Sequence, residues 1–319
     1  MILITALVAA LSFRLIPVAG LFIFDGIVIL IAWFCIYEVM AVKKLDKKGV
    51  RDYYLYPYVT IAYMLFLIGI LVDNPFPFWL HLVLQGIVVF ILCVYVYLMS
   101  YTDKAFIKQA NLQKKNHGKE CRRVVLDYLK LIIYPGLVLL TLIPLNHMSR
   151  WAEVTPTGMS SAVPVSSLGL FAILLVFGIT VLTDTFAHAV GKTLKGRKLA
   201  PKISPGKHIS GAVGGLFGGV LGALLVLLVM TTSSTLQQFL VDKIGYAGPV
   251  NLFFIGVGLV GSVMTQAGDL FASWIKRKNG VKDFGKWLPG HGGLMDRFDG
   301  LMWNAPFILV IMMIITFVA

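Results

Sequence analysis

Apolar runs long enough to cross a bilayer recur from one end of this chain to the other. They lie at roughly 2–16, 19–42, 54–72, 79–101, 128–146, 166–190, 210–232, 248–274 and 300–319. A helix needs about 20 apolar residues to span the hydrocarbon core, where no water satisfies an exposed peptide group. Only 13% of the residues are charged and 58% are hydrophobic, whereas a soluble domain carries about 25% charged residues. Too little polar surface remains to cover a water-soluble globule. The runs are continuous rather than alternating, which argues against a β-barrel. The expected fold is all-α, a polytopic integral membrane helical bundle of about nine transmembrane helices. Residues Met1–Gly20 lack the basic start of a signal peptide and are read as a first helix that is kept. The fifth run carries Pro135, which membrane helices tolerate because neighbours re-satisfy the backbone.

The formal charge is +13. In a soluble protein that excess would suggest nucleic acid as a partner. Here 25 of the 28 Lys and Arg residues fall in four stretches, 43–51, 104–130, 192–207 and 276–297. Only Arg14, Arg150 and Lys243 lie elsewhere. Two apolar runs separate each cluster from the next, so all four emerge on one side. The positive-inside rule makes that side the cytoplasm, and no nucleic-acid partner is expected. Nine spans then place the N-terminus inside and the C-terminus outside. Cys35, Cys93 and Cys121 show no CxxC or Cys/His ligand spacing, which argues against a zinc site or a disulfide framework.

Two segments admit more than one reading. The polar stretch 102–127 reads as an interfacial helix or a loose basic connector. Gly211, Gly214, Gly215, Gly218, Gly219 and Gly222 stripe one run. Small residues at this spacing serve close helix packing inside the protomer, a dimer face or a lipid slot.

Chemistry concentrates in the last third. The stretch Ser273–Asp299 is too polar to cross a bilayer, yet it lies between two spans. It holds Lys276, Arg277, Lys282, Asp283, His291, Asp296, Arg297 and Asp299, with Gly290, Gly292 and Gly293 around the histidine. Glycines let a backbone approach a phosphate, and Lys and Arg neutralise its oxygens. Asp296 and Asp299 are three apart and share a face if helical. Two carboxylates so placed suit Mg²⁺ with bound phosphates. Asp269 lies near the end of its run, where an ionisable residue is by default a functional candidate. Asp184 and His188 are four apart on another run and form either a metal pair or a hydrogen-bonded polar pair. The following segment, KLAPKISPGK, carries Lys198, Lys202, Ser204 and Lys207 beside Pro and Gly, and reads as a rigid phosphate-binding loop. Acids for metal and bases for phosphate, at a membrane surface, describe phosphoryl or nucleotidyl transfer to a lipid.

The string S-x-x-K-R-x4-K-D-x-G-x3-P-G-H-G-G-x-x-D-R-x-D over Ser273–Asp299 resembles the signature of the phosphatidate cytidylyltransferases. Gly268-Asp269-Leu270 and KLAPKISPGK are also similar to family motifs and stand in the right order. The resemblance is good over residues 180–305, while residues 1–165 match only as hydrophobic spans. It implies N-terminal transmembrane helices over 1–165 and a C-terminal catalytic region over 166–319, within one membrane domain. It further implies that CTP and phosphatidic acid give CDP-diacylglycerol and pyrophosphate, with Mg²⁺ and in some members a dimer. The family's metal-binding acids map to Asp269 and Asp296. Asp299 and Asp184 are expected to complete an acidic shell, with one Mg²⁺ or a second cation beside it as open alternatives. Lys202, Lys207, Lys276, Arg277, Lys282 and Arg297 are expected to bind phosphates. Of these, Lys282 and Arg297 are placed with Asp269 and Asp296 at the reacting centre. Ser204, Gly292 and Gly293 are expected to contact substrate, and His291 either touches a phosphate or shapes its turn.

The chain departs from the family's pattern at Phe186 and His188, and again at His208 and Ser210. Those departures open the reading of a paralogue that acts on another lipid phosphate. A transporter would need more charge in mid-span than Asp25, Glu38 and His81 provide. An inactive partner or scaffold sits poorly with intact Asp269, Asp296 and Asp299.

Overall fold

The computed structural model describes residues 19–45, 55–71, 78–102, 117–149, 167–231, 234–245, 247–285 and 292–317. The expected first span, 2–16, lies outside them, as do residues 103–116 and His291. The chain is a helical membrane protein. Its first helices are α1 (Ala19–Lys43), α2 (Leu55–Leu71), α3 (Phe78–Thr102) and α4 (His117–Leu131). A π-helical turn over Ile132–Leu137 leads into short α5 (Val138–Leu140) and α6 (Leu142–Asn146). Then come α7 (Ser167–Leu194), the strands β1 (Lys198–Ala200) and β2 (Ser204–His208), α8 (Ile209–Met230), α9 (Ser234–Ile244), α10 (Ala247–Lys278) and α11 (Met295–Phe317).

Eight of the nine expected spans thus fall on helical segments. Among the described residues six helical stretches are long and apolar enough to cross a membrane, and Val83–Met99 is a shorter apolar stretch. The polar stretch ending at 127 is helical from His117, with Arg122 and Arg123 exposed and Cys121 and Val124 buried. Its described part is thus a helix rather than a loose connector. Pro135 cannot donate to the helical ladder. The chain accommodates it with a π-helical turn in which Tyr134 leaves helical geometry at φ −134° and ψ 111°.

Two compact units divide the chain. One comprises residues 1–25, 141–282 and 296–319, and the other residues 26–140 and 283–295. In the first unit the glycine stripe faces inward. A Cβ at Gly214 would stand 2.6 Å from Val190, and one at Gly219 would stand 2.7 Å from the Gly258 carbonyl. The stripe therefore lets α8 seat directly on α7 and α10, backbone against backbone, and packing inside the protomer is what it serves. Side-chain hydrogen bonds add to this seam. The Ser262 hydroxyl donates to the Gly215 carbonyl (2.9 Å), and Gln266 donates from Nε2 to the Ala212 carbonyl (3.2 Å). Asn304 ties α11 to α7 through the Val176 carbonyl (3.0 Å) and the Thr180 hydroxyl (3.1 Å). Asp25, fully buried, is matched inside the same unit by Asn146 Nδ2 (2.9 Å) and His147 Nε2 (2.7 Å). A buried acid with two partners is a structural tie rather than a transport station.

Candidate active site

Helices α7, α8, α10 and α11 of the first unit carry the polar end of the bundle. The expected phosphate loop is a β-hairpin. Lys198 pairs with His208, and Ala200 with Ser204, in antiparallel register. The Ile203 amide closes the turn onto the Ala200 carbonyl (3.1 Å), and the Ile209 amide closes the base onto the Arg197 carbonyl (2.9 Å). The Ser210 hydroxyl donates to the Lys195 carbonyl, so this departure from the family pattern staples the end of α7 to the start of α8. Arg277, at the end of α10, donates from Nε to the Ile203 carbonyl (3.2 Å) and from Nη1 to the Val281 carbonyl (3.3 Å). Its guanidinium braces the hairpin turn.

A cavity of about 530 Å³ opens beside the hairpin. Asp184, His188, Lys192 and Lys195 of α7 and its end line it, with Lys207 and His208 of β2 and Gln266 and Asp269 of α10. Lys207 Nζ forms an ion pair with Asp269 Oδ2. The Ser273 hydroxyl, one turn on, stands 3.5 Å from Asp269 Oδ1. Gly268 permits the approach of the last helix: a Cβ there would collide with the Asp299 carbonyl oxygen and stand 2.9 Å from Trp303. Asp299 is buried, and its Oδ1 accepts the Gly300 amide (2.8 Å). Its carboxylate is close enough to feel the charges of Asp269, Asp184 and Lys276. Lys276 Nζ in turn lies 2.6 Å from Asp296 Oδ1, both side chains being about nine-tenths buried. Four carboxylates from α7, α10 and α11 are thereby linked through one another and two lysines.

The site thus brings together Asp184, Asp269, Asp296, Asp299, Lys207 and Lys276. Lys202 in the hairpin turn, Lys282 beyond α10 and Arg297 on α11 are exposed and do not line the cavity, and Ser204 is half-buried in β2. Gly292 and Gly293 belong to the other unit. Gly292 has φ +82°, a left-handed value that glycine adopts without strain. Sequence reasoning passed over Lys192, Lys195 and Gln266 as site residues. The lysines lay inside a basic cluster that positive-inside topology already explained, and Gln266 carries no charge to betray it.

Among the described residues no three acidic, histidine or cysteine side chains form a finished metal cage. The donor set nonetheless fits a hard divalent cation. Asp184, Asp269 and Asp299 are oxygen donors that repel one another, and the lysines beside Asp269 and Asp296 show that this end of the bundle already draws positive charge.

Carboxylates and phosphate-binding lysines at the polar end of a membrane bundle are the groups that nucleotidyl transfer at a membrane calls for. Residues 2–315 match the family described as Cytidylyltransferase family, and the chain belongs to that family. Among curated relatives, the Phosphatidate cytidylyltransferase of Rickettsia bellii (strain RML369-C) is 34% identical over 204 residues, which cover 59% of this chain and 83% of the relative. The protein of that name from Rickettsia felis is 33% identical over 190 residues, 54% of this chain and 80% of the relative. That of Brucella melitensis biotype 1 is 40% identical over 134 residues, 42% of this chain and 44% of the relative.

Proposed function

We propose that this chain transfers the cytidylyl group of CTP to phosphatidic acid, giving CDP-diacylglycerol and pyrophosphate at the cytoplasmic face of the cell's inner membrane. The observation that carries the reading is the cavity in which Asp184, Asp269 and Lys207 meet, next to Lys276 and Asp299. Relatives named for this activity support the choice of substrates. The basic hairpin and helix ends support the cytoplasmic side. Residues 166–319 carry this chemistry, and residues 1–165 supply the further spans.

A phosphate oxygen of phosphatidic acid attacks the α-phosphorus of CTP. The new P–O bond forms as the bond to the β-phosphate bridge breaks, and pyrophosphate leaves. The lipid supplies the nucleophile, so no covalent protein intermediate is required. Lys207 and Lys276 hold phosphate oxygens and offset the charge that gathers on the leaving pyrophosphate. Lys192 and Lys195 extend that cationic wall. Asp269, Asp296, Asp299 and Asp184 would hold Mg²⁺, which when bound neutralises the triphosphate and favours in-line geometry. Arg277 acts through the hairpin it braces. Lys202, Ser204, Lys282 and Arg297, together with Gly292, are assigned to substrate contacts as the substrates enter, whereas Gly293 packs against Glu38. His291 stands with them on sequence grounds.

A second reading has its own support. His188 and His208, two of the positions that depart from the family pattern, both line the cavity. A changed wall at the acceptor side suits a different lipid phosphate. The test is purified protein in detergent with labelled CTP, Mg²⁺ and a panel of lipid phosphates. A CDP-lipid lost in Asp269→Ala and Asp296→Ala is expected, and its identity decides between the readings. No product with any lipid overturns both.

A further inference from the structure

We infer that Glu38, on the first described helix, is a positioning residue that clamps Gly285 and Gly293, which flank the loop within the signature, and fixes where α11 begins. The observations lie in the second compact unit, which contains residues 26–140 and 283–295. Glu38 is 2% exposed. Its Oε1 accepts the Leu294 amide (3.0 Å) and its Oε2 the Met295 amide (2.8 Å), across 256 and 257 positions of sequence. Met295 opens α11, so the carboxylate satisfies amides at a helix start that no intrahelical carbonyl reaches. A negative charge is favoured there by the helix dipole, and bonds from two amides to one carboxylate are charge-assisted.

The loop is cut to receive this side chain. A Cβ at Gly293 would stand 2.6 Å from Glu38 Oε2 and 2.6 Å from the Gly285 amide nitrogen, and a Cβ at Gly285 would collide with Glu38 Oε1. Gly285 and Gly293 are thus the two posts between which the carboxylate sits, at either end of the loop. The next residue after Met295 is Asp296. Glu38 therefore holds the backbone from which that carboxylate projects, without itself reaching substrate.

The inference rests on the cytidylyl-transfer reading for its kinetic consequence only. Glu38→Gln keeps the shape but lets only one of its two polar atoms accept. In the full chain in detergent, E38Q is expected to lower kcat about 30-fold with KM for CTP and lipid within threefold, while elution volume holds and the melting temperature falls by only a few degrees. Gly293→Ala, made in case E38Q folds poorly, should do the same. The E38Q/G293A pair should be no worse than the worse single change, and Glu38→Asp should recover part of the E38Q loss. Hydrogen exchange supplies a readout free of activity: the amides of 294 and 295 should exchange at least tenfold faster in E38Q, with α8 and α10 unchanged. Wild-type kcat in E38Q, multiplied losses in the pair, or unchanged exchange at 294 and 295 would overturn the clamp. An inactive wild type whose exchange still responds to E38Q would sink the substrate reading and leave the clamp standing.

Discussion

Lys276, near the end of one long helix, grips Asp296, in the first turn of the next, at 2.6 Å. Both side chains are almost out of solvent, and the buried Asp299 carboxylate is within electrostatic reach of the same lysine. Removing one partner of such a pair leaves an uncompensated charge, at a cost of about 3–5 kcal/mol. Lys276→Met should therefore lower the melting temperature in detergent and abolish CDP-lipid formation. Adding Asp296→Leu should return much of the stability and none of the activity. A double variant that regains turnover would show the pair to be only structural.

Gly268 offers a second test. A Cβ there has no room against the Asp299 carbonyl and Trp303, whereas one at Gly256 of the same helix meets nothing within 4 Å. Gly268→Ala should move α11 away from Asp269 and lower kcat by about 100-fold, the scale expected when reacting groups shift by an ångström. Gly256→Ala should leave activity and melting temperature unchanged. Equal effects at the two positions would dissociate the close approach from catalysis.

The hairpin depends on a planar fork. Arg277 reaches two carbonyls at once, and a lysine, with a single nitrogen on a flexible stem, does not reproduce that geometry. Arg277→Lys should speed hydrogen exchange over residues 200–204 and raise KM for CTP several-fold, with a smaller change in kcat. Unchanged exchange there would remove the bracing role.

Chelation should abolish activity, and Mg²⁺ should restore it. Asp269 is one of the proposed cation ligands and already carries Lys207 as a partner. In Asp269→Asn the Mg²⁺ concentration for half-maximal rate should rise at least tenfold. An unshifted requirement would place the cation elsewhere.

His188 and His208 should govern which lipid is accepted. Changing His208→Thr and His188→Tyr moves the cavity wall toward the family pattern. The preference within the lipid panel should shift about tenfold toward phosphatidic acid, with KM for CTP unaffected. An unchanged preference would leave the wall without a role in acceptor choice.

The spans were legible because bilayer thickness imposes a run length that the order of apolar residues reveals. Asp269, Asp296 and Asp299 were legible because charge so near a membrane span is costly and stands out. The strands at 198–208 were not. Three and five residues are too few to show a period of two, and Pro201 and Pro205 argue against strand on their face. The structural use of Arg277 was equally hidden, since a basic residue in a basic loop looks like any other until its carbonyl partners are seen. Glu38 was visible as a mid-span acid, yet its partners lie more than 250 positions away. No local pattern encodes that distance.

The seam of bare backbone between α7, α8 and α10 bears on how such a chain evolves. A single-base change in a glycine codon that alters the residue always installs something bulkier. Each position in the stripe that faces a carbonyl or an α-carbon at contact distance is thus a dead end for one-step substitution. Drift in this region must run through exposed neighbours such as Val213, Phe217 and Leu221, which leaves the three helices locked in register while their outer faces turn over.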